Sequence, residues 1–208
     1  MTVPDRPVEL PLRGRLGPEE PFLFFRGLRG HLEWIPYRVI TEPPGGKRPP
    51  LPGDVERFVA RVRSGLPSAS TGVTRICGAA GAERDIWLSW RGEPHPVEDA
   101  VLAWAWESGA AILYEPAERL PAELAIWARP TVLQGPPADL AHWLDRFEEE
   151  RPRRAGPRWA ERRLGRLRRL LVEEAEAGVE SVRLAARLRA LAPACPAVVV
   201  PVEGDALV

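Results

Sequence analysis

The 208-residue sequence is poor in the features that define several common classes of protein. Its two cysteines, Cys77 and Cys195, are isolated, which excludes a disulfide framework and a CxxC metal knuckle. The apolar runs are far shorter than 18 residues, and the first ten residues contain no apolar signal core. We therefore expect a cytoplasmic protein in a reducing compartment, without a transmembrane segment.

Amide side chains and lysine are almost absent. There is no asparagine, Gln134 is the only glutamine, and Lys47 is the only lysine beside 28 arginines. Few thermolabile amides and the 24 prolines predict a thermophilic source, although a GC-rich genome favours the same composition. The 29 basic and 29 acidic side chains balance, which argues against a surface that as a whole serves nucleic acid or an anionic membrane, and we expect no nucleic-acid partner.

What is present predicts an α/β fold. From residue 85 onward, short apolar runs at 85–90, 110–115, 130–135 and 197–203 alternate with helical patterns at 96–109, 116–128 and 136–151. Gly109 is a helix stop signal, and a brief further strand fits 73–77. Such alternation predicts a mostly parallel sheet of about five strands with helices on both faces.

The first quarter of the chain does not show this alternation of strand and helix patterns. Residues 21–40 predict a small β-hairpin, and the proline- and glycine-rich stretch 41–54 predicts a loop. Asp54 is a suitable N-cap for a helix that follows it. We therefore divide the chain into residues 1–54 (arm, hairpin and loop) and an α/β domain over 55–208.

The segment after residue 151 predicts a long helix that reaches about residue 192 and breaks near Gly178. Residues 151–172 hold nine arginines and one acid, and their leucines fall on one helical face. A basic amphipathic helix is typical of nucleic-acid or membrane contacts, but a solvated helix face is the simpler interpretation. Its role stays open.

Two segments contain residues that could bind a ligand or take part in catalysis. His95 follows the strand at 85–90, and parallel sheets bind ligands beyond the carboxyl ends of their strands; a loop histidine that caps the next helix is the alternative. Residues 68–75 (SASTGVTR) resemble a phosphate loop through Ser70, Thr71 and Gly72, but they lack lysine, so an ordinary loop is the favoured interpretation. No HxxxH, HExxH or GxSxG motif occurs, and we expect no metal site.

The segments DIWLSWRGEPHPVEDAVLAWAWESGAAILYEP and ARPTVLQGPPADLAHWLDR, taken in order, resemble the long-chain acyl-CoA synthetases of the AMP-binding, adenylate-forming ligases. The resemblance covers 85–208 and, more loosely, the hairpin. It implies that the arginine-rich segment is a helical excursion of that family. The positions that match the family pattern are His95, Glu98, Ser108, Gly109, Ala110, Arg129, Pro130, Thr131 and Pro137.

The departures from that family concern ATP handling. The phosphate-loop lysine is missing, and residues 202–206 replace the Gly-Gly-Ala-Pro of the family. The sequence ends before the Tyr-Gly-x-Thr-Glu motif and the C-terminal domain with its catalytic lysine. The resemblance therefore implies a degenerate relative, and we expect no catalytic residue and no cofactor.

Three functions are compatible with this sequence. The first is a non-catalytic, pseudoenzyme-like protein that acts by association with itself or with a full-length ligase. The second is binding of a fatty acyl, acyl-CoA or adenylate ligand as a carrier or sensor. The third, less favoured, is residual AMP-dependent acyl-CoA ligase activity. For ligand binding the candidate residues are His95, Glu98, Gln134, Gly135 and Pro136.

Overall fold

The computed structural model describes residues 22–26, 32–37, 51–65, 86–89, 96–114, 130–150, 158–173 and 178–202. Within these ranges the strands are β1 (Phe22–Arg26), β2 (Leu32–Pro36), β3 (Ile86–Ser89), β4 (Ala111–Tyr114), β5 (Val132–Gly135), β6 (Arg169–Glu173) and β7 (Val198–Val202). The helices are α1 (Gly53–Arg63), α2 (Pro96–Glu107), α3 (Pro137–Glu150), α4 (Trp159–Leu164) and α5 (Val179–Leu191). No helix among these residues is long and apolar enough to cross a membrane.

The strands form two hydrogen-bonded sheets that lie side by side. One sheet has the order β2-β1-β4-β3, in which β1 and β2 are the antiparallel hairpin and the other pairs are parallel. The other sheet is parallel throughout, in the order β5-β6-β7. Because β3 lies against β5, the strands form one layer in the order β2-β1-β4-β3-β5-β6-β7.

A hydrophobic core covers each face of this layer, and each core spans both sheets. The α3-side core joins alternate strand residues such as Leu113, Leu133 and Leu170 to α3, α4 and α5. The α2-side core joins the intervening residues, including Ile112 and Leu171, to α1 and α2. Strands that are buried on both faces need apolar side chains at every position, which explains why these runs are continuous rather than alternating.

The direction of the crossovers changes between β3 and β5. The chain passes from β3 through α2 to β4, toward the hairpin, whereas it passes from β5 to β6 and from β6 to β7 in the opposite direction. The helices of these two sets cover opposite faces. Crossovers between parallel strands are right-handed. Two such sets that move across the sheet in opposite directions, with their helices on opposite faces, require strands that run in the same direction. β3 and β5 are therefore parallel to each other. The layer is doubly wound, with its topological switch point between them.

The predicted α/β class with an N-terminal hairpin is confirmed. Within the described residues five strands follow the hairpin; the apolar runs at 85–90, 110–115, 130–135 and 197–203 supply four of them, and the fifth, β6, lies where a helix was expected. The helix stop at Gly109 is also confirmed. Gly109 has a φ of +68°, and the Ala110 N–H bonds the Ala105 carbonyl at 2.8 Å, which closes a Schellman motif.

Of the helical stretch expected over 151–192, the part before Gly178 is wrong, whereas the break at Gly178 and the helix after it are confirmed. In the described part of this stretch the chain forms the six-residue α4, then the strand β6, then α5. Leu170 and Leu171 therefore point to opposite faces of the sheet and enter different cores, rather than sharing one helical face. The pairing of β6 between β5 and β7 outweighs the helix propensity of its leucines and arginines.

A smaller difference concerns α1, whose N-cap is Pro52, with Asp54 inside the helix. The expected arm, the strand at 73–77 and the helix at 116–128 lie outside the described residues. The division of the chain at residue 54 stays a prediction.

Candidate functional site

The candidate site is the crevice beyond the carboxyl ends of β3 and β5, at the topological switch point. In open α/β sheets this is where ligands bind, because the connections leave a gap by running off in opposite directions. α2 begins at Pro96 after β3, and α3 begins at Pro137 directly after the turn at Pro136. Both helices have proline as their first residue, where its missing N–H costs no helical hydrogen bond. Two helix N-termini therefore flank the crevice.

Gln134 lies at this end of β5 and is held by a carboxylate. Its side chain is 2% exposed, and its Nε2 donates a hydrogen bond to Glu173 Oε1 at 2.6 Å. Glu173 is the half-buried last residue of β6. Both side chains lie on the α2-side face, because Val132 and Leu171, two residues earlier on each strand, belong to that core. A hydrogen bond to an ionised group is stronger than a neutral one, so this pair fixes the orientation of the only glutamine in the chain.

Gly135 and Pro136 make the turn from β5 into α3. Gly135 is buried at the end of the strand, and Pro136 is half-buried. The Pro136 carbonyl accepts from the Leu140 N–H at 3.1 Å, which starts the helix immediately after the strand. Because Gly135 has no side chain, the last residue of β5 presents only backbone atoms beside the crevice.

The structure thus brings together three of the predicted ligand residues, namely Gln134, Gly135 and Pro136. Glu98 lies in the first turn of α2, and its side chain is outside what the structure describes. His95 and the segment with Ser70, Thr71 and Gly72 are also outside the described residues. The roles assigned to all of these residues stay predictions.

Glu173 is the residue of this site that the sequence analysis missed. The reason is the wrong helix assignment, which placed Glu173 one turn after Arg169 on a solvated face. A signal for the strand is nevertheless present, since Leu170-Leu171-Val172 is a short apolar run that follows a helix stop at Gly165. Such a run is compatible with either a buried strand or a helix, and periodicity alone does not separate the two.

Away from the crevice, the side chain of Cys195 packs against the α3-side core. Burial raises the pKa of the Cys195 thiol, although a backbone hydrogen bond from Ala197 and the charge of Arg168 oppose the effect. Its Sγ–H donates to the Leu164 carbonyl at 3.3 Å. A thiol with a raised pKa is a poor nucleophile. Among the described residues, no group of three or more His, Cys, Asp or Glu side chains could hold a metal ion.

Comparison with known proteins gives a distant structural neighbour. No protein-family model matches the sequence, and no curated protein matches it. Among solved structures, ATP-bound MatB from Rhodopseudomonas palustris is similar with a TM-score of 0.44 and 13% sequence identity. The match covers 90% of this chain and 30% of that chain, so the present chain spans less than a third of its neighbour's length.

Proposed function

We propose that this chain binds a fatty acyl, acyl-CoA or acyl-adenylate ligand in the switch-point crevice, without adenylating it. The observation that carries the proposal is the position of Gln134, Gly135 and Pro136 at the carboxyl end of β5, one of the two strands between which the crossovers diverge. The acyl class comes from the sequence resemblance around His95 and Glu98, which adjoin the start of α2.

The electrostatics of the crevice suit a ligand with an anionic head. α2 and α3 have 12 and 14 residues, and their N-termini carry partial positive charge. Their first-turn N–H groups have no helical partner and are suited to a carboxylate or phosphate. The carboxylates of Glu173, Asp99 and Asp139 would oppose such a ligand, but Glu173 is engaged by Gln134, Asp99 is paired with Arg61, and Asp139 has a partner of its own.

The proposal of binding without catalysis rests on the sequence. Adenylation requires groups that clamp the ATP phosphates and stabilise charge as the phosphoryl bond breaks. The candidate phosphate segment contains no lysine, and the only lysine, Lys47, lies in the proline-rich stretch. A carrier or sensor role agrees with these features.

Isothermal titration of the purified protein with palmitate, palmitoyl-CoA, AMP and ATP tests the proposal. We expect binding of at least one acyl compound and, in H95A, a dissociation constant at least about tenfold weaker, equivalent to about 1.4 kcal/mol. H142A is the matched control, because His142 is an exposed residue of α3. Wild-type protein that binds none of the acyl compounds would overturn the proposal.

Association with a second copy or a full-length ligase is the second candidate. The observation in its favour is the outermost strand β7, where Val198 is 51% exposed. An unpaired edge strand is a template for another chain. The Val198 N–H bonds the Arg168 carbonyl, so in this parallel ladder the polar groups of Val199 and Pro201 face outward. Pro201 has no N–H to offer there, which weakens the edge as a docking strand.

Sedimentation equilibrium of the wild type and of P201V tests the association. If β7 is a protected edge, we expect P201V to associate more strongly than the wild type, because the substitution restores an outward donor. A wild-type dimer that P201V leaves unchanged would place the contact elsewhere. A strictly monomeric wild type, with no ligase recovered from the native source, would remove this candidate.

A further inference from the structure

A cluster of arginines lies at the end of the sheet opposite the crevice. Between residues 158 and 169 the chain has six arginines and one acid, Glu161. We call these arginines the arginine patch: Arg158, Arg162, Arg163, Arg166, Arg168 and Arg169. β6 runs from Arg169 to Glu173, so Arg169 and the Gln134–Glu173 pair are about 13 Å apart along the strand at roughly 3.3 Å per residue.

The backbone anchors this patch to the amino ends of all three strands of the second sheet. The N–H groups of Arg168 and Arg169 both donate to the Thr131 carbonyl, just before β5. The Arg168 carbonyl accepts from Val198, the first residue of β7. Arg168 and Arg169 are therefore held at the end of the sheet, while Arg158, Arg162 and Arg163 lie on or beside α4.

The apolar residues of the same stretch determine which side chains face outward. Trp159, Leu164 and Leu167 are buried in the α3-side core. The intervening Arg158, Arg162 and Arg168 are exposed. Among the described residues, these three form no ion pair or hydrogen bond through their side chains, whereas Arg163, Arg166 and Arg169 each have an interaction partner.

We propose that the arginine patch binds the phosphate backbone of a nucleic-acid duplex, without reading its sequence. Guanidinium groups match phosphate oxygens through paired N–H donors, and such contacts position a duplex but carry no base information. The proposal goes beyond the ligand crevice, because it concerns the opposite end of the sheet.

Two features favour a duplex over other polyanions. A membrane-surface helix needs a free apolar face, whereas the apolar face of α4 is buried in the core. Single strands are held by base stacking on exposed aromatic rings. None of the aromatic side chains that the structure describes is exposed, since Trp159 is 7% exposed and Trp106 is half-buried.

The balanced net charge does not oppose this assignment. A balance of zero describes the average over the surface, while steering and phosphate contacts depend on the local field within about 8–10 Å at physiological salt. Between residues 158 and 169 six arginines stand against one acid, so the charge of this stretch is positive.

Fluorescence anisotropy with a labelled 20-base-pair duplex, measured at several KCl concentrations, tests the proposal. Three phosphate contacts predict a slope of log K against log salt of about −3. The variant R162Q/R168Q should reduce the magnitude of the slope by about 2. The matched control R57Q/R63Q removes the same charge from two exposed positions of α1 and should leave the slope unchanged.

Several outcomes would overturn the assignment. They are no duplex binding at 50 mM KCl, an equal effect of R57Q/R63Q, or binding to phosphatidylserine vesicles in place of the duplex. Salt-dependent self-association that R162Q/R168Q abolishes, with no duplex binding, would instead assign the patch to contacts between copies. Thermal unfolding of each variant confirms that the fold is intact.

Discussion

At the scale of single residues, the Gln134–Glu173 contact is the most specific feature of the structure. A buried polar group is costly unless it is hydrogen-bonded, and this chain has no other glutamine or asparagine. The contact joins the carboxyl ends of β5 and β6, which are paired strands next to the switch point. The pair therefore stabilises the wall of the proposed crevice and fixes which amide atom points away from Glu173.

This contact predicts a large coupling free energy. Q134L should lower the free energy of unfolding by about 2 kcal/mol, because it removes a buried donor to a charged group. The double variant Q134L/E173L should be more stable than the sum of its single variants predicts, with a coupling of about 1–2 kcal/mol. Urea denaturation of the four proteins measures this value.

The surface pair Arg146–Glu149 is the control for that measurement. It lies on α3 with side chains that are 40% and 55% exposed, and its N–O distance of 2.6 Å resembles that of the buried contact. An exposed pair of this kind should couple by about 0.5 kcal/mol or less. Equal coupling in the two pairs would show that the burial of Gln134 adds nothing.

At the scale of secondary-structure elements, Tyr37 attaches the hairpin to the corner between α2 and β4. It follows β2, and its hydroxyl donates to the Ala110 carbonyl at 2.7 Å. Its ring stacks on Trp106 with centroids 3.9 Å apart. Together with the β1–β4 ladder, this contact makes the hairpin part of the main sheet.

Tyr37 should make stability dependent on alkaline pH. Burial raises the pKa of its phenol well above the ordinary value of about 10. Above pH 10 the unfolded chain loses the phenol proton while the folded chain retains it, so the wild type becomes less stable as pH rises. Y37F should be about 1 kcal/mol less stable at pH 7 and should lose less stability between pH 9 and 11.

Urea midpoints from pH 7 to 11 measure both effects. Parallel pH profiles for the wild type and Y37F would contradict the assignment of the alkaline loss to Tyr37. Tyr114, the only other tyrosine, contributes equally to both proteins and therefore cancels in the comparison.

The elements also show how far the sequence alone could predict the fold. Elements with clear start and stop residues, such as α2 with Pro96 and Gly109, were predicted almost to the residue. β6 was not, because its leucines and arginines have good helix propensity and its neighbours in the sheet are about 30–40 residues away in the chain. Glu173 was lost from the predicted site for the same reason.

At the scale of the whole molecule, the two cores share one layer of strands and should unfold together. Ile112 and Leu133 are each fully buried, on opposite faces. I112A and L133A should each cost about 2–5 kcal/mol and lower a single unfolding transition. V182A, at a position that is 69% exposed, should change stability by at most about 0.5 kcal/mol.

Far-UV circular dichroism and tryptophan fluorescence, recorded on the same samples, measure this cooperativity. The fluorescence sums eight tryptophans, which include Trp104 of the α2-side core and Trp143 of the α3-side core. Two separate transitions, each sensitive to only one of the two core substitutions, would show that the faces unfold independently.

The sequence by itself determined the α/β class, the hairpin, most element positions and the three residues at the end of β5, because apolar runs and helix punctuation are local signals. Only the tertiary structure decided that β6 is a strand, that Gln134 meets Glu173, that the switch point lies between β3 and β5, and that the arginines collect at the opposite end of the sheet. Each of these depends on pairing between segments far apart in the chain. The energy of that pairing comes from burial on both faces of the sheet, which no local window of sequence contains.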